Sequence, residues 1–173
     1  MEPFTEAQIR AAFINCSQGD ASRIKLPADF AATPWSDLDY FGWVDPSAPL
    51  RAAMVVADED GLRAIMLRKA DRVSGRGAMR ASLCQACLTS HPAGGVSLFT
   101  AAYAGPSGRN GNSVGELFCS DLACSLYLRG LRRPRSGGVR VEETLSLQER
   151  VDRELRKIHG FVRRVAEPST AGR

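Results

Sequence analysis

The sequence predicts an α+β fold of antiparallel β-hairpins with flanking helices and a treble-clef zinc finger. Three observations carry the prediction. Apolar runs of strand length at 52–57, 62–68, 96–103 and 114–118 are joined in pairs by Asp/Gly- and Gly/Asn-rich turns. Segments with helical apolar spacing and capping residues stand near both ends, at 4–14 and 146–165. Four of the five cysteines form two close pairs, Cys84 with Cys87 and Cys119 with Cys124, on either side of the second hairpin.

Taken in order, Thr5 with Gln8 three residues later reads as a capping box, and Phe4, Ile9 and Phe13 share a helical face. Ser17-Gln18-Gly19-Asp20 is a turn from which Asp20 caps a short helix over 21–26, stopped by Pro27. Cys16 reads as a small buried hydrophobe. Trp35, Leu38, Tyr40, Phe41 and Trp43 crowd one stretch with Asp37 and Asp39. Such side chains pin a short helix or irregular segment to the core. The two aspartates have no histidine, third acid or glycine loop nearby, so they make no acid–base site. Runs 52–57 and 62–68 flank Asp58-Glu59-Asp60-Gly61, a hairpin signal.

A basic connector at 70–80 containing Ser74-Gly75-Arg76-Gly77 divides the chain. The expected organisation is an N-terminal helical and β-hairpin subdomain (1–75), a treble-clef finger (76–135), and a C-terminal helix with a disordered tail (136–173). Separate cores for the first two are not expected.

Cys84-Gln85-Ala86-Cys87 is a knuckle whose backbone N–H groups turn toward two sulfurs that can reach one ion. The second pair closes a tetrahedral four-sulfur site of the kind Zn²⁺ prefers. Strand 96–103, the loop 105–113, strand 114–118 and a helix announced by Ser120-Asp121, carrying Cys124 in its first turns, complete the treble-clef order. Disulfides and a redox pair are the alternatives. Against the first, no leader opens the chain and Cys16 would be left over. Against the second, His91-Pro92-Ala93-Gly94-Gly95 breaks any helix after the motif. His91 is the rival ligand, or else a surface histidine in a turn. A closed four-thiolate site has no open position to activate water, so the metal is expected to be structural. The loop 105–113 lacks the Gly-Lys-Ser/Thr ending of a phosphate loop and reads as a hairpin connection, the kind of segment that carries partner contacts.

Charge is uneven along the chain. Residues 1–70 hold seven Lys/Arg against ten Asp/Glu, and 71–173 hold sixteen against nine, so the finger half is the basic half. Arg129, Arg132, Arg133 and Arg135 cluster after the finger helix and suit phosphates, without an interleaved aromatic for base stacking. RNA is therefore one expected partner. The last helix has Ser146 and Glu149 as a capping box and Leu147, Val151, Leu155, Ile158, Val162 and Val165 on one side. Neither His91 nor His159 has a nucleophile or paired acid at a recognisable spacing, so no enzyme is expected, and no small-molecule substrate. No apolar run reaches membrane-span length, and a cytoplasmic protein is expected.

Cys84-x-x-Cys87, the Gly/Asn loop leading down to Gly115-Glu116-Leu117-Phe118-Cys119, and Cys119-Ser120-Asp121 running to Cys124 resemble the treble-clef domain of elongation-factor-G-binding proteins, the FusB-type fusidic-acid-resistance family. The 4–15 helix and the 38–49 stretch resemble small members of that family, so the likeness covers nearly the whole chain. The resemblance implies a non-enzymatic protein that binds elongation factor G through its finger and promotes its release from the ribosome. It makes the four cysteines ligands of a structural Zn²⁺. It places partner contacts at the knuckle tip (Gln85, Ala86), at Arg109, Asn110 and Asn112, at Phe118 and at Tyr127. The chain departs from the drug-resistance members in showing no separate helical bundle ahead of the shared region and an alanine inside the knuckle. The expectation is therefore binding to the translation machinery rather than resistance itself.

Overall fold

A computed structural model describes residues 1–59, 61–70, 82–135 and 143–167. Helix α1 (Glu6–Ala11) starts at Thr5, whose hydroxyl accepts the Gln8 N–H while the Gln8 side chain accepts the Thr5 N–H. Helix α2 (Gln18–Arg23) is capped by Ser17 and not by Asp20. The Ser17 oxygen takes the Asp20 N–H, and its hydroxyl donates back to the Asp20 carboxylate. That pairing starts the helix ahead of the expected position.

The aromatic stretch forms 3₁₀ turns at Phe30–Ala32 and Trp35–Asp37, then a strand, β1 (Phe41–Val44). The strand was not expected, because Gly42 interrupts its alternation. Phe41 and Trp43 stack at 4.9 Å on one face. On the other, a Cβ at Gly42 would lie 2.7 Å from Leu122 Cβ, so only glycine fits.

Strands β2 (Arg51–Asp58) and β3 (Gly61–Lys69) form the first hairpin, closing on the Asp58↔Gly61 pair, with Gly61 at φ 111°. Strands β6 (Val96–Ala102) and β7 (Ser113–Cys119) form the second. A five-stranded antiparallel sheet results, ordered β1-β2-β3-β6-β7. Its continuity rests on Arg68↔Thr100 and Lys69↔Phe99. Where β3 and β6 part, the Asn15 side chain donates to Met66 and Ala102 carbonyls and accepts the Met66 N–H. Residues 1–70 and the finger thus share a sheet; the connector at 71–81 and the tail from 168 lie outside the described residues.

The inner face of the sheet presents Met54, Val56, Ile65, Leu67, Phe99 and Phe118 to α5 (Leu147–Ala166), which answers with Ile158, Phe161, Val162 and Val165. The Ser146/Glu149 capping box is present. On the outer face, Phe41, Trp43, Ala53, Val55 and Ala64 pack beneath Ile9, Phe13, Ala21 and Ile24. Each large apolar side chain so buried contributes about 1.5–3 kcal/mol. These helices cover β1 to β3 and leave the outer face of β6 and β7 exposed.

Candidate metal centre

Two turns bring the cysteines together. The short strands β4 (Ser82–Leu83) and β5 (Ser90–His91) pair across the knuckle, Leu83 with Ser90. Leu88 adopts φ 56° and its N–H donates to the Cys84 carbonyl at 3.0 Å. After β7 delivers Cys119, Leu122 also adopts φ 56°, and its N–H donates to the Cys119 carbonyl at 2.8 Å. Left-handed backbone at a leucine costs roughly 1–2 kcal/mol and persists where surrounding structure over-determines it. Both residues also carry the chain round just beyond a cysteine.

Helix α4 (Cys124–Leu128) begins on Cys124 itself. Ser120-Asp121 does not cap it as expected: Ala123 is the N-cap, and the Asp121 side chain, two residues earlier, accepts the Ala123 N–H. A further helix, α3 (Gly105–Arg109), sits in the finger's hairpin connection in place of the expected loop.

The sulfurs of Cys84, Cys87, Cys119 and Cys124 all lie within 4.8 Å of one another, and all four side chains are buried. Cys84 and Cys124 sulfurs are 3.6 Å apart, Cys87 and Cys119 sulfurs 3.5 Å. A zinc ion with bonds of about 2.3 Å needs tetrahedron edges of about 3.8 Å. None of the cysteines is in a disulfide. The redox geometry is absent too, since Cys87 leads into β5 and not into a helix. Hydrogen bonds from the Cys119 and Cys124 side chains hold the Cys84 thiol far below its ordinary range, whereas burial pushes Cys124 well up. Four buried sulfurs at this spacing cannot all be thiolates unless a cation balances them. The donor set and its spacing therefore fit Zn²⁺.

His91 is not one of the four. It is buried, and its Nε2 lies 3.2 Å from Cys119 Sγ. Burial lowers its pKa and keeps the ring neutral; a sulfur that serves as a metal ligand can only accept, which assigns the proton to Nε2. A Cβ at Gly95 would lie 2.4 Å from His91 Cβ, which makes glycine obligatory there. Tyr127 meets the His91 ring edge-on at 4.7 Å and donates its hydroxyl to Asp121. Thr89 Oγ1 lies 3.2 Å from Cys87 Sγ. Tyr40, from the N-terminal half, reaches across to donate to the Leu122 carbonyl at 2.8 Å. Sequence reasoning missed Tyr40, whose role depends on a contact 82 residues away.

Behind the cluster lies a second network. Asp39 N–H donates to Ser125 Oγ, which donates to Glu154 Oε1 at 3.2 Å. The Asp39 carboxylate receives both Arg129 Nη groups at 2.5 and 2.8 Å. Burial first, and then the charge of Asp39, push the Glu154 carboxyl up to about 9, so it holds its proton at neutral pH. Its place between Val151 and Ile158 on the apolar stripe was the signal that could have found it.

The other expected contact residues do not assemble with the metal. Gln85 is exposed and ties the knuckle to β7: its N–H donates to the Leu117 carbonyl and its side chain accepts the Leu117 N–H. Ala86 is buried. Arg109, Asn110 and Asn112 are exposed at the opposite end of the hairpin, a β7 length or about 20 Å from Cys119. Phe118 is a correction. It is buried and packs edge-on against Phe161 at 5.3 Å, so it is a core residue. Strand alternation turns its neighbour Leu117 outward instead. Arg129 is a second correction, because its pair with Asp39 leaves it little exposed. Arg132 pairs with Asp121 at 2.9 Å, while Arg133 and Arg135 are exposed. Sequence reasoning also missed Leu83, Leu98 and Leu117, which are 45%, 42% and 38% exposed. Leu98 and Leu117 stand directly opposite one another on the uncovered outer face.

Comparison with known proteins places this geometry. A family model described as the FBP C-terminal treble-clef zinc-finger matches residues 8–165. Neither the curated proteins nor the solved structures yield a match. Among the described residues, no helix is long and apolar enough to cross a membrane.

Proposed function

The chain belongs to the FBP C-terminal treble-clef zinc-finger family, and from that premise we propose that it is a zinc-stabilised, non-enzymatic module that binds elongation factor G and promotes its release from the ribosome. The observation that carries the reading is the buried four-sulfur cluster. Its four thiolates fill a tetrahedral ion's coordination sphere, so the ion serves as a staple and not as a Lewis acid. The staple holds the knuckle against β7 and α4. What it makes rigid is the outer face of the β6–β7 hairpin, with Gln85 at one end and Arg109, Asn110 and Asn112 at the other. Between them lie Leu98 and Leu117, with Leu83 two residues before Gln85. Exposed apolar residues ringed by polar groups are how a protein-binding surface is built.

The test is calorimetric titration of the zinc-loaded protein with elongation factor G. The wild type forms a complex, and Leu98→Asp combined with Leu117→Asp weakens it about tenfold or more, as removal of central apolar contacts does. Both side chains are exposed, so metal content and melting temperature stay unchanged. Absence of a complex at about 50 μM would overturn the proposal.

A further inference from the structure

Helix α5 buries Val151, Glu154, Ile158, Phe161, Val162 and Val165 and turns its opposite face to solvent. Over the last three turns that face carries Arg156, Lys157, Arg163 and Arg164, all exposed. No acidic residue occurs from Leu155 to Ala166; Asp152 and Glu167 flank the stretch. Arg164 pairs with Glu116, and Arg153, about three turns earlier, with Glu143. Among the described residues, Arg156, Lys157 and Arg163 have no ion-pair partner, in contrast to Arg129, Arg132, Arg153 and Arg164. Asp58 sits to one side, 3.6 Å from His159 Nδ1.

Midway between the two pairs of cations is Gly160. A Cβ built there would meet nothing within 4 Å, so no neighbour in the fold requires glycine. Glycine is a poor residue for a helix interior. The spacing from Arg156 and Lys157 through Gly160 to Arg163 and Arg164 puts all five on one face, over about 12 Å of helix. The result is a shallow gap of bare backbone with Arg156 and Lys157 at one end and, at the other, Arg163 beside the Glu116-paired Arg164. The helix macrodipole favours the cations of the last turn. It does not extend to Arg156 and Lys157, and it gives no reason for the glycine.

We propose that this face of α5 binds the phosphodiester backbone of RNA. Guanidinium groups pair bidentately with phosphate oxygens, and the gap at Gly160 lets the strand approach the helix closely. The stripe exposes no apolar or aromatic side chain, which a protein-binding surface needs at its centre. A polyanion needs none, since its affinity comes from counterion release. Binding is therefore independent of base sequence, and it uses α5 instead of the Arg129–Arg132 segment, whose cations are paired internally.

The test is fluorescence anisotropy of the zinc-loaded protein with a labelled RNA hairpin of arbitrary sequence. Neutralising three or four phosphates gives a log–log salt slope of about −3, or about 60-fold weaker binding at 200 than at 50 mM KCl. The triple variant Arg156→Ala, Lys157→Ala, Arg163→Ala flattens the slope and weakens binding at least tenfold at low salt. Gly160→Glu does the same with an equal or higher melting temperature, because glycine is a poor helix residue, while Arg133→Ala with Arg135→Ala binds like the wild type. A triple variant with the wild-type slope, or no RNA binding at 50 mM KCl, overturns the proposal. Polyglutamate competing as well as RNA also overturns it, in favour of an acidic protein surface.

Discussion

Replacing Glu154 with glutamine isolates the cost of a buried carboxyl behind the metal cluster. In the folded protein its pKa rises from the ordinary 4.5 to about 9, because burial and the neighbouring Asp39 charge disfavour the anion. Between those values the unfolded chain releases a proton that the folded chain retains. The folded state therefore loses stability as pH rises, by 1.36 kcal/mol per unit. From pH 5 to pH 8 the sum is about 4 kcal/mol, and the slope ends near pH 9 where the folded carboxyl ionises as well. Glutamine keeps the acceptor for Ser125 Oγ and has no proton to lose. The variant should match the wild type near pH 5 and exceed it by up to about 4 kcal/mol at pH 8, or roughly 10 °C in melting temperature for a chain of this size. The assay is urea unfolding of both proteins, with zinc saturating, from pH 5 to 9. Metal affinity itself rises with pH, because thiols must deprotonate, but this is common to both proteins and cancels in their difference. A difference that stays flat across the range would refute the reasoning.

Two further outcomes concern the cluster. Cys119→Ser should release the metal and melt the knuckle, the end of β7 and α4 together, since ion binding in such fingers supplies on the order of 10 kcal/mol of folding free energy; atomic emission and thermal unfolding check this, and unchanged metal content would contradict it. His91→Ala should keep one ion per chain but bind it roughly 10–100-fold more weakly in chelator competition, as loss of a hydrogen bond to a ligand sulfur does; loss of the ion altogether would make His91 a ligand.

Much of the fold was legible because it is local. The Asp58-to-Gly61 turn, the capping boxes at Thr5 and Ser146, and the paired cysteines are short-range patterns whose physics lies within a few residues. Strand β1 was not legible, because Gly42 replaces the side chain that would have shown its period, and its reason is Leu122, 80 positions away. Leu88 and Leu122 gave no sign of left-handed backbone, since leucine does not favour it and only the converging sulfurs require it. The burial of Phe118 was not legible for a related reason. Both Phe118 and Leu117 are apolar, and composition cannot say which of two adjacent strand residues faces the core.

The sequence by itself determined the two hairpins, the first and last helices, the four sulfur donors and the basic character of the second half. Each depends on residue chemistry and near-neighbour spacing. Only the tertiary structure decided which charges are free. Arg129 is bound to Asp39 from the other end of the chain, Glu154 is neutral because the sheet and α4 close over it, and the cations of α5 stand exposed because its opposite face is buried. Burial and long-range pairing set those outcomes, and neither is a property of a residue's neighbours in sequence.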